Sequence, residues 1–183
     1  GSGQLITSNA TIDALVDEFP RNGWALMAVQ VPLLNQDAEL EDYAALQPAA
    51  LQRLTAACAQ LRGDGIQTIV LLGLEQGAEV ISEFLRDPAA ASGVIGVATR
   101  GLWRGDLAQL QQPVIELIGD LDRTAMAAAE VRQKTAARQA LPYRLDHLPA
   151  YSPTATSDSD AALARRVRGW AKTVIENSLA APG

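Results

Sequence analysis

The sequence predicts an α/β domain built as a three-layer sandwich, with a mainly parallel β-sheet between two layers of helices. Short apolar segments of strand length alternate along the chain with longer segments of helical period, which is the pattern of a parallel sheet covered by helices. The 183 residues are also enough for one domain that buries about 70% of the surface its unfolded chain exposes. We therefore expect a single domain over residues 4–183, and Gly1, Ser2 and Gly3 resemble a cloning scar.

Five segments have the composition of β-strands. Four of them are almost continuously apolar, which is typical of strands buried on both faces of a parallel sheet. The fifth lies between two prolines and mixes polar with apolar residues, so we expect it near an edge of the sheet. The five segments are residues 24–31, 68–72, 93–98, 113–118 and 143–148. A short apolar segment at residues 5–7 has the character of the remnant of one more strand.

Segments of helical period separate the strands. The clearest covers residues 47–61, where leucines and Cys58 recur at spacings of three and four and Pro48 lies in the first turn. The other predicted helices are residues 11–19, 77–85, 124–140 and 160–179. The polar segments at residues 33–43 and 152–160 are predicted to be surface loops.

The composition excludes several classes of function. The chain has 15 basic and 21 acidic residues, and the resulting net charge of −6 argues against non-specific binding to nucleic acid or anionic lipid. The single cysteine, Cys58, excludes an internal disulfide and a cysteine-rich zinc site. No apolar run is long enough to span a membrane. Because no metal-binding or nucleotide-binding motif occurs, we expect no metal and no cofactor.

The most specific local signal is a pair of glycines after the strand at residues 68–72. Gly73 and Gly77 flank Glu75 at the point where this strand gives way to a helix. With the order of the surrounding elements, this resembles the nucleophile elbow of the α/β-hydrolase superfamily, in which Gly-x-Ser-x-Gly makes a tight strand-to-helix turn. The resemblance covers most of the chain from Trp24 onward. In particular, the chain resembles a proteobacterial, exported, hydrolase-like family of unknown function with a degenerate elbow.

The resemblance implies a small, lidless hydrolase-like fold that lacks the first strands and has a degenerate catalytic triad. Glu75 stands where serine is expected, and Asp122 is in the position of the acid. His147 falls inside the last predicted strand, before the loop in which the catalytic histidine belongs. The oxyanion hole keeps one donor, the backbone N–H of Gln76. The structural alternatives are that Glu75 interacts with a helix dipole and that Asp122 caps the helix predicted from residue 124.

We therefore predict a catalytically inactive domain that acts as a protein-binding or assembly module in a bacterial envelope system. The alternative is an esterase-like hydrolase that uses Glu75 as a carboxylate nucleophile, with Asp122 and His147. The expected location is the periplasm, with the cytoplasm as the alternative.

A predicted binding surface lies at the carboxyl edge of the sheet, where open α/β folds bind ligands. Arg100, Trp103 and Arg104 follow the strand at residues 93–98, and Gln76 follows Glu75 within the elbow. A tryptophan between arginines suits a protein partner or an anionic group, so another protein is the expected partner and a small molecule is the second option. The alternative is that Trp103 folds onto a neighbouring helix and the arginines are solvated.

Overall fold

The computed structural model describes residues 10–32, 45–74, 76–85, 91–97, 112–148 and 158–180. In chain order the elements are α1 (Ala10–Arg21), α2 (Gln47–Gly63), β1 (Val70–Leu74), α3 (Gln76–Phe84), β2 (Gly93–Val97), β3 (Val114–Gly119), α4 (Arg123–Gln139), β4 (Tyr143–Leu148) and α5 (Asp158–Ala180). The five predicted helices are confirmed, and each end lies within two residues of its predicted position.

The four strands form one parallel sheet in the order β1-β2-β3-β4. Four of the five predicted strands are therefore confirmed. Every residue of β2 and β3 is buried, whereas burial along β4 is interrupted by polar, exposed positions. This difference follows from position, because β4 forms an edge of the described sheet, as its mixed composition predicted.

The predicted strand over residues 24–31 is wrong. Residues 24–32 form neither helix nor strand, and Met27 keeps 40% of its surface exposed. The physical reason is that a strand needs a hydrogen-bonded neighbour as well as apolar residues, and in the described part of the chain no ladder joins this segment to β1. The segment predicted at residues 5–7 and the loop predicted at residues 33–43 lie outside the described residues.

Helices cover both faces of the sheet and complete the three layers. On one face, here called the α1–α5 face, Leu15 and Phe19 of α1 and Leu163 and Val174 of α5 pack against inward-pointing residues of β2 and β3. On the opposite face, here called the α2–α4 face, the sheet is covered by α2, α3 and α4. The fold class predicted from the sequence is confirmed.

The helices α1 and α5 lie side by side and run in the same direction. Near their starts Thr11 Oγ1 donates to Asp160 Oδ1 at 2.6 Å, and two turns later Arg168 Nε donates to Glu18 Oε1 at 2.7 Å. Further along α5, Val174 packs so closely over Gly93, the first residue of β2, that a Cβ on Gly93 would overlap it. Both helices therefore run from the carboxyl edge of the sheet toward its amino edge.

One charged cluster is buried on the α2–α4 face. Glu116, in the middle of β3, is fully buried. Arg132 of α4 donates from Nε and Nη2 to its two carboxylate oxygens at 2.8 and 2.6 Å, and the hydroxyl of Tyr143 in β4 donates to Oε2. A buried carboxylate is tolerated only when it is paired and hydrogen-bonded, and this cluster meets both conditions.

The cluster also fixes the protonation of its donors. Burial and the charge of Glu116 raise the pKa of Tyr143 well above its ordinary value. Burial alone would lower the pKa of Arg132, but the hydrogen bond and charge of Glu116 outweigh it and raise that pKa. Tyr143 therefore stays a neutral donor and Arg132 stays a cation at physiological pH.

We expect Arg132→Met to lower the free energy of unfolding by about 3–5 kcal/mol, because it leaves the Glu116 carboxylate buried without its charge partner. The double variant Glu116→Leu/Arg132→Met removes both charges and should recover most of that loss. Urea denaturation of the three proteins measures the difference. A single-variant cost below about 1 kcal/mol would contradict this role for the ion pair.

Candidate functional site

In the turn between β1 and α3, the backbone of Gly73 in β1 lies as close to the first turns of α3 as an elbow requires. A Cβ built on Gly73 would lie 2.5 Å from the Cα of Ala78 and 2.6 Å from its backbone nitrogen. Only glycine therefore lets α3 begin this close to β1. Gly77 differs, because a Cβ at that position would meet no atom of the described residues within 4 Å. The close approach of α3 therefore requires a glycine at position 73, whereas the described residues impose no such steric requirement at position 77.

The residue between these glycines, Glu75, lies outside the described residues. The helix α3 begins at Gln76, so the backbone N–H of Gln76 belongs to the first turn of that helix. An oxyanion hole at this elbow requires a backbone N–H donor at the start of α3, which is where Gln76 lies. The predicted roles of Glu75 and Gln76 both stay predictions.

Asp122 lies where β3 gives way to α4. It is the N-cap of α4, and its Oδ1 accepts a hydrogen bond from the backbone nitrogen of Ala125 at 3.1 Å. This contact is the capping interaction that the sequence offered as the alternative to a catalytic role. The role of Asp122 as a triad acid stays a prediction.

His147 lies inside β4, where the sequence placed it. It pairs in register with Ile118 of β3, and 53% of its side-chain surface is exposed. Its Nδ1 is 3.5 Å from Oδ1 of Asp120, the residue that directly follows β3. Asp120 is held there by its backbone nitrogen, which donates to the carbonyl of Leu148 at 3.2 Å. The structure thus brings His147 together with Asp120, which the sequence reasoning did not single out.

The strand order separates this pair from the elbow-like turn. Two strands lie between β1 and β4, and neighbouring strands are about 4.8 Å apart, so β1 and β4 are roughly 14 Å apart. Glu75 follows β1 directly in the sequence, and His147 belongs to β4. A side chain on β4 would therefore have to reach past β3 and β2 to contact the turn after β1.

The carboxyl edge also carries an exposed apolar side chain. Leu121, between Asp120 and Asp122, keeps 66% of its surface exposed. The predicted binding residues Arg100, Trp103 and Arg104 follow β2 in the sequence and lie outside the described residues. Cys58 is a buried residue of α2, and burial raises the pKa of its thiol.

The described residues contain neither a metal-binding cluster nor a membrane-spanning helix. Among the residues whose positions are given above, no group of three or more histidine, cysteine or acidic side chains is arranged to hold a metal ion. Within the same ranges, no helix is both long and apolar enough to cross a bilayer.

A comparison with known protein families gives the chain its classification. Residues 35–173 match the family described as "Protein of unknown function (DUF3530)", and this match covers more than half of the chain. The chain belongs to the DUF3530 family. No curated protein matches this DUF3530 chain.

Solved structures show the fold to which this DUF3530 protein is similar. An uncharacterized protein from Bacillus cereus ATCC 10987 superposes with a TM-score of 0.65 at 14% identity, covering 87% of this chain and 55% of that one. A protein from Thermoplasma acidophilum, described as a "predicted CIB-like hydrolase", superposes with a TM-score of 0.62 at 18% identity, covering 92% and 82%. At these identities the likeness shows the fold alone, which is α/β-hydrolase-like.

Two further facts complete the comparison. A Bacillus cereus carboxylesterase superposes with a TM-score of 0.48 at 16% identity, covering 78% of this chain and 66% of that one. The DUF3530 chain spans only 55% of the length of the Bacillus cereus ATCC 10987 protein.

The elbow geometry predicts different responses at its two glycines. Gly73→Ala should lower the free energy of unfolding by about 1–3 kcal/mol, because its Cβ overlaps the backbone of Ala78. Gly77→Ala is the matched control and should be neutral or stabilising by up to about 1 kcal/mol, because the Cβ lies in a helix and meets none of the described residues. Urea denaturation measures both, and equal effects of the two substitutions would show that β1 and α3 do not approach each other in this way.

Proposed function

We propose that this chain is a hydrolase-like domain without hydrolytic activity and that it serves as a protein-binding or assembly module in a bacterial envelope system. The observation that carries this proposal is the place of its single histidine. His147 lies in β4, two strands away from β1, and contacts Asp120.

The position of His147 in β4 matters because hydrolysis at an elbow depends on a base close to the nucleophile. Acyl transfer at an elbow needs a nucleophile and a general base within hydrogen-bond reach of it. A carboxylate nucleophile such as Glu75 forms an ester with the acyl group, and a base must then activate the water that cleaves this ester. His147 is the only imidazole of the chain, and its position in β4 leaves the deacylation step without an evident base.

A binding role is supported by the character of the carboxyl edge. Leu121 presents an exposed apolar side chain there, beside the half-exposed polar side chains of Asp120 and His147. An apolar contact surrounded by polar groups is the usual composition of a protein interface. In the proposal, Arg100, Trp103 and Arg104 extend this surface, because they follow β2 and its carboxyl end lies at the same edge.

The proposed location is the periplasm. Its support is the resemblance of the elbow and its surroundings to an exported family, and the cytoplasm is the alternative.

One observation favours a second function, an esterase-like hydrolase. The contact of 3.5 Å between His147 and Asp120 joins an imidazole to a carboxylate at the carboxyl edge of the sheet. In a catalytic triad, a carboxylate hydrogen-bonded to the imidazole holds that base in the orientation it needs. This alternative requires a segment of β4 to move so that the imidazole meets Glu75.

Hydrolysis of short-chain nitrophenyl esters separates the two functions. We expect the wild-type chain, Glu75→Gln and His147→Gln to release nitrophenol at the same background rate, because in this proposal His147 stays in β4 and does not act as a base at the elbow. Circular dichroism confirms that each variant is folded. Turnover by the wild-type chain that is lost in both folded variants would establish the hydrolase and overturn the proposal.

A further inference from the structure

The outer side of β4 is an edge of the described sheet. β4 pairs with β3 on one side, and none of the described strands pairs with its other side. Unlike the buried strands β2 and β3, it carries exposed polar side chains, those of Arg144 and His147. An edge strand presents a row of backbone donors and acceptors with which a strand of another chain can pair.

The ladder with β3 shows which backbone groups of β4 point toward the edge. At one end the carbonyl of Pro142 accepts a hydrogen bond from the backbone nitrogen of Val114, and at the other the carbonyl of Leu148 accepts from that of Asp120. The register between these ends is continuous, and peptide groups alternate in direction along a strand, so the even-numbered residues of β4 bond to β3. The residues whose backbone groups face the edge are therefore Tyr143, Leu145 and His147.

Two side chains of opposite charge lie on one face of β4, two residues apart. Asp146 accepts hydrogen bonds from Arg166 and Trp170 of α5, so it lies on the α1–α5 face. Arg144 lies on that face too, with its guanidinium 4.1 Å from the centre of the Trp170 ring. Stacking on a ring leaves the N–H donors of a guanidinium available. In the described part of the chain, Arg144 contacts this ring and no carboxylate.

A second copy of the chain fits this edge in one antiparallel register. Directly opposed residues of antiparallel strands share a face, so the two-fold axis of a symmetric pair passes through a residue of β4. An axis at Arg144 would oppose two arginines, and an axis at Asp146 would oppose two aspartates. An axis at Leu145 places Arg144 of each copy opposite Asp146 of the other. Opposed residues of opposite charge stabilise a sheet, whereas like charges destabilise it.

The backbone and the helices fit the same register. At the axis the two Leu145 residues exchange two backbone hydrogen bonds, and on either side Tyr143 lies opposite His147 of the other copy. The helix α4 packs on β3 and β4 through Ala125 and Ala129. Because neighbouring strands are about 4.8 Å apart, the α4 helices of the two copies would lie about 10 Å apart, an ordinary distance for packed helices.

We propose that the chain forms a symmetric dimer through the outer edge of β4, in which Arg144 of each copy binds Asp146 of the other. Arg166 and Trp170 hold the Asp146 carboxylate in place for this contact with three hydrogen bonds. A carboxylate has about four acceptor sites, so Asp146 keeps one for the incoming guanidinium. The partner is thus a second copy of this chain. This proposal concerns self-association and does not depend on the proposed function.

Sedimentation velocity tests the dimer. We expect the wild-type chain to pass from monomer to dimer between micromolar and millimolar concentrations at low salt. Arg144→Asp should raise the dissociation constant at least about tenfold, because it opposes like charges twice across the axis. Arg165→Asp makes the same change of charge at an exposed position of α5 and is the matched control, which should show only the smaller effect of overall charge. A wild-type chain that stays monomeric, or equal effects of the two substitutions, overturns the proposal.

Cysteine cross-linking tests the register. In a Cys58→Ser background, Leu145→Cys brings two cysteines together at the axis, with Cα atoms about 5.5 Å apart, which is within the range of a disulfide. His147→Cys lies on the same face of β4 and is the matched control, because its counterpart in the other copy is about 13 Å away along the strand. We expect a disulfide-linked dimer from Leu145→Cys alone. No linked dimer from Leu145→Cys, or an equal yield from His147→Cys, overturns this interface.

Discussion

The ion pair between Glu116 and Arg132 fixes the relative positions of β3, α4 and β4, which carry the polar residues of the carboxyl edge. It joins the middle of β3 to α4, and the hydroxyl of Tyr143 extends the same cluster to β4. Asp120 and Asp122 follow β3, and His147 lies four residues after Tyr143 in β4. A shift of α4 or a slip in register between β3 and β4 would unpair a buried carboxylate, so the relative positions of these edge residues are set from inside the core.

Such a cluster specifies an arrangement more than it adds stability, because hydrophobic residues of similar volume often stabilise a core as well as a buried ion pair does. The edge strand β4 is fixed from the opposite face too. Partial burial alone would raise the pKa of Asp146, but hydrogen bonds from Arg166 and Trp170 of α5 lower it below its usual range. The Arg144 guanidinium lies 4.1 Å from the centre of the Trp170 ring. With contacts on both faces, β4 holds His147 beside Asp120 rather than near β1.

Local signals in the sequence predicted most of the helices and strands. Strand pairing and ion pairs between residues far apart in the sequence were not predicted. Periodicity and the glycine and proline signals located five helices and four strands. Residues 24–31 have the composition of a strand, but a strand also needs a hydrogen-bonded neighbour, and composition does not reveal whether one is present. Glu116 was visible as a charge inside an apolar run, yet nothing local identified Arg132, sixteen residues later, as its partner. Asp120 and Asp122 both follow β3, and the cap that Asp122 forms on α4 leaves Asp120 as the observed neighbour of His147.

We propose that the imidazole of His147 does not act as a base at the turn after β1. Glu75→Ser restores a serine to the elbow motif, and a fluorophosphonate probe labels a serine only when a nearby base activates it. Mass spectrometry of the probe-treated variant tests the claim most directly. We expect no labelling of Glu75→Ser above that of the wild-type chain, because His147 stays in β4. Stoichiometric labelling at residue 75 that disappears in Glu75→Ser/His147→Gln would contradict it.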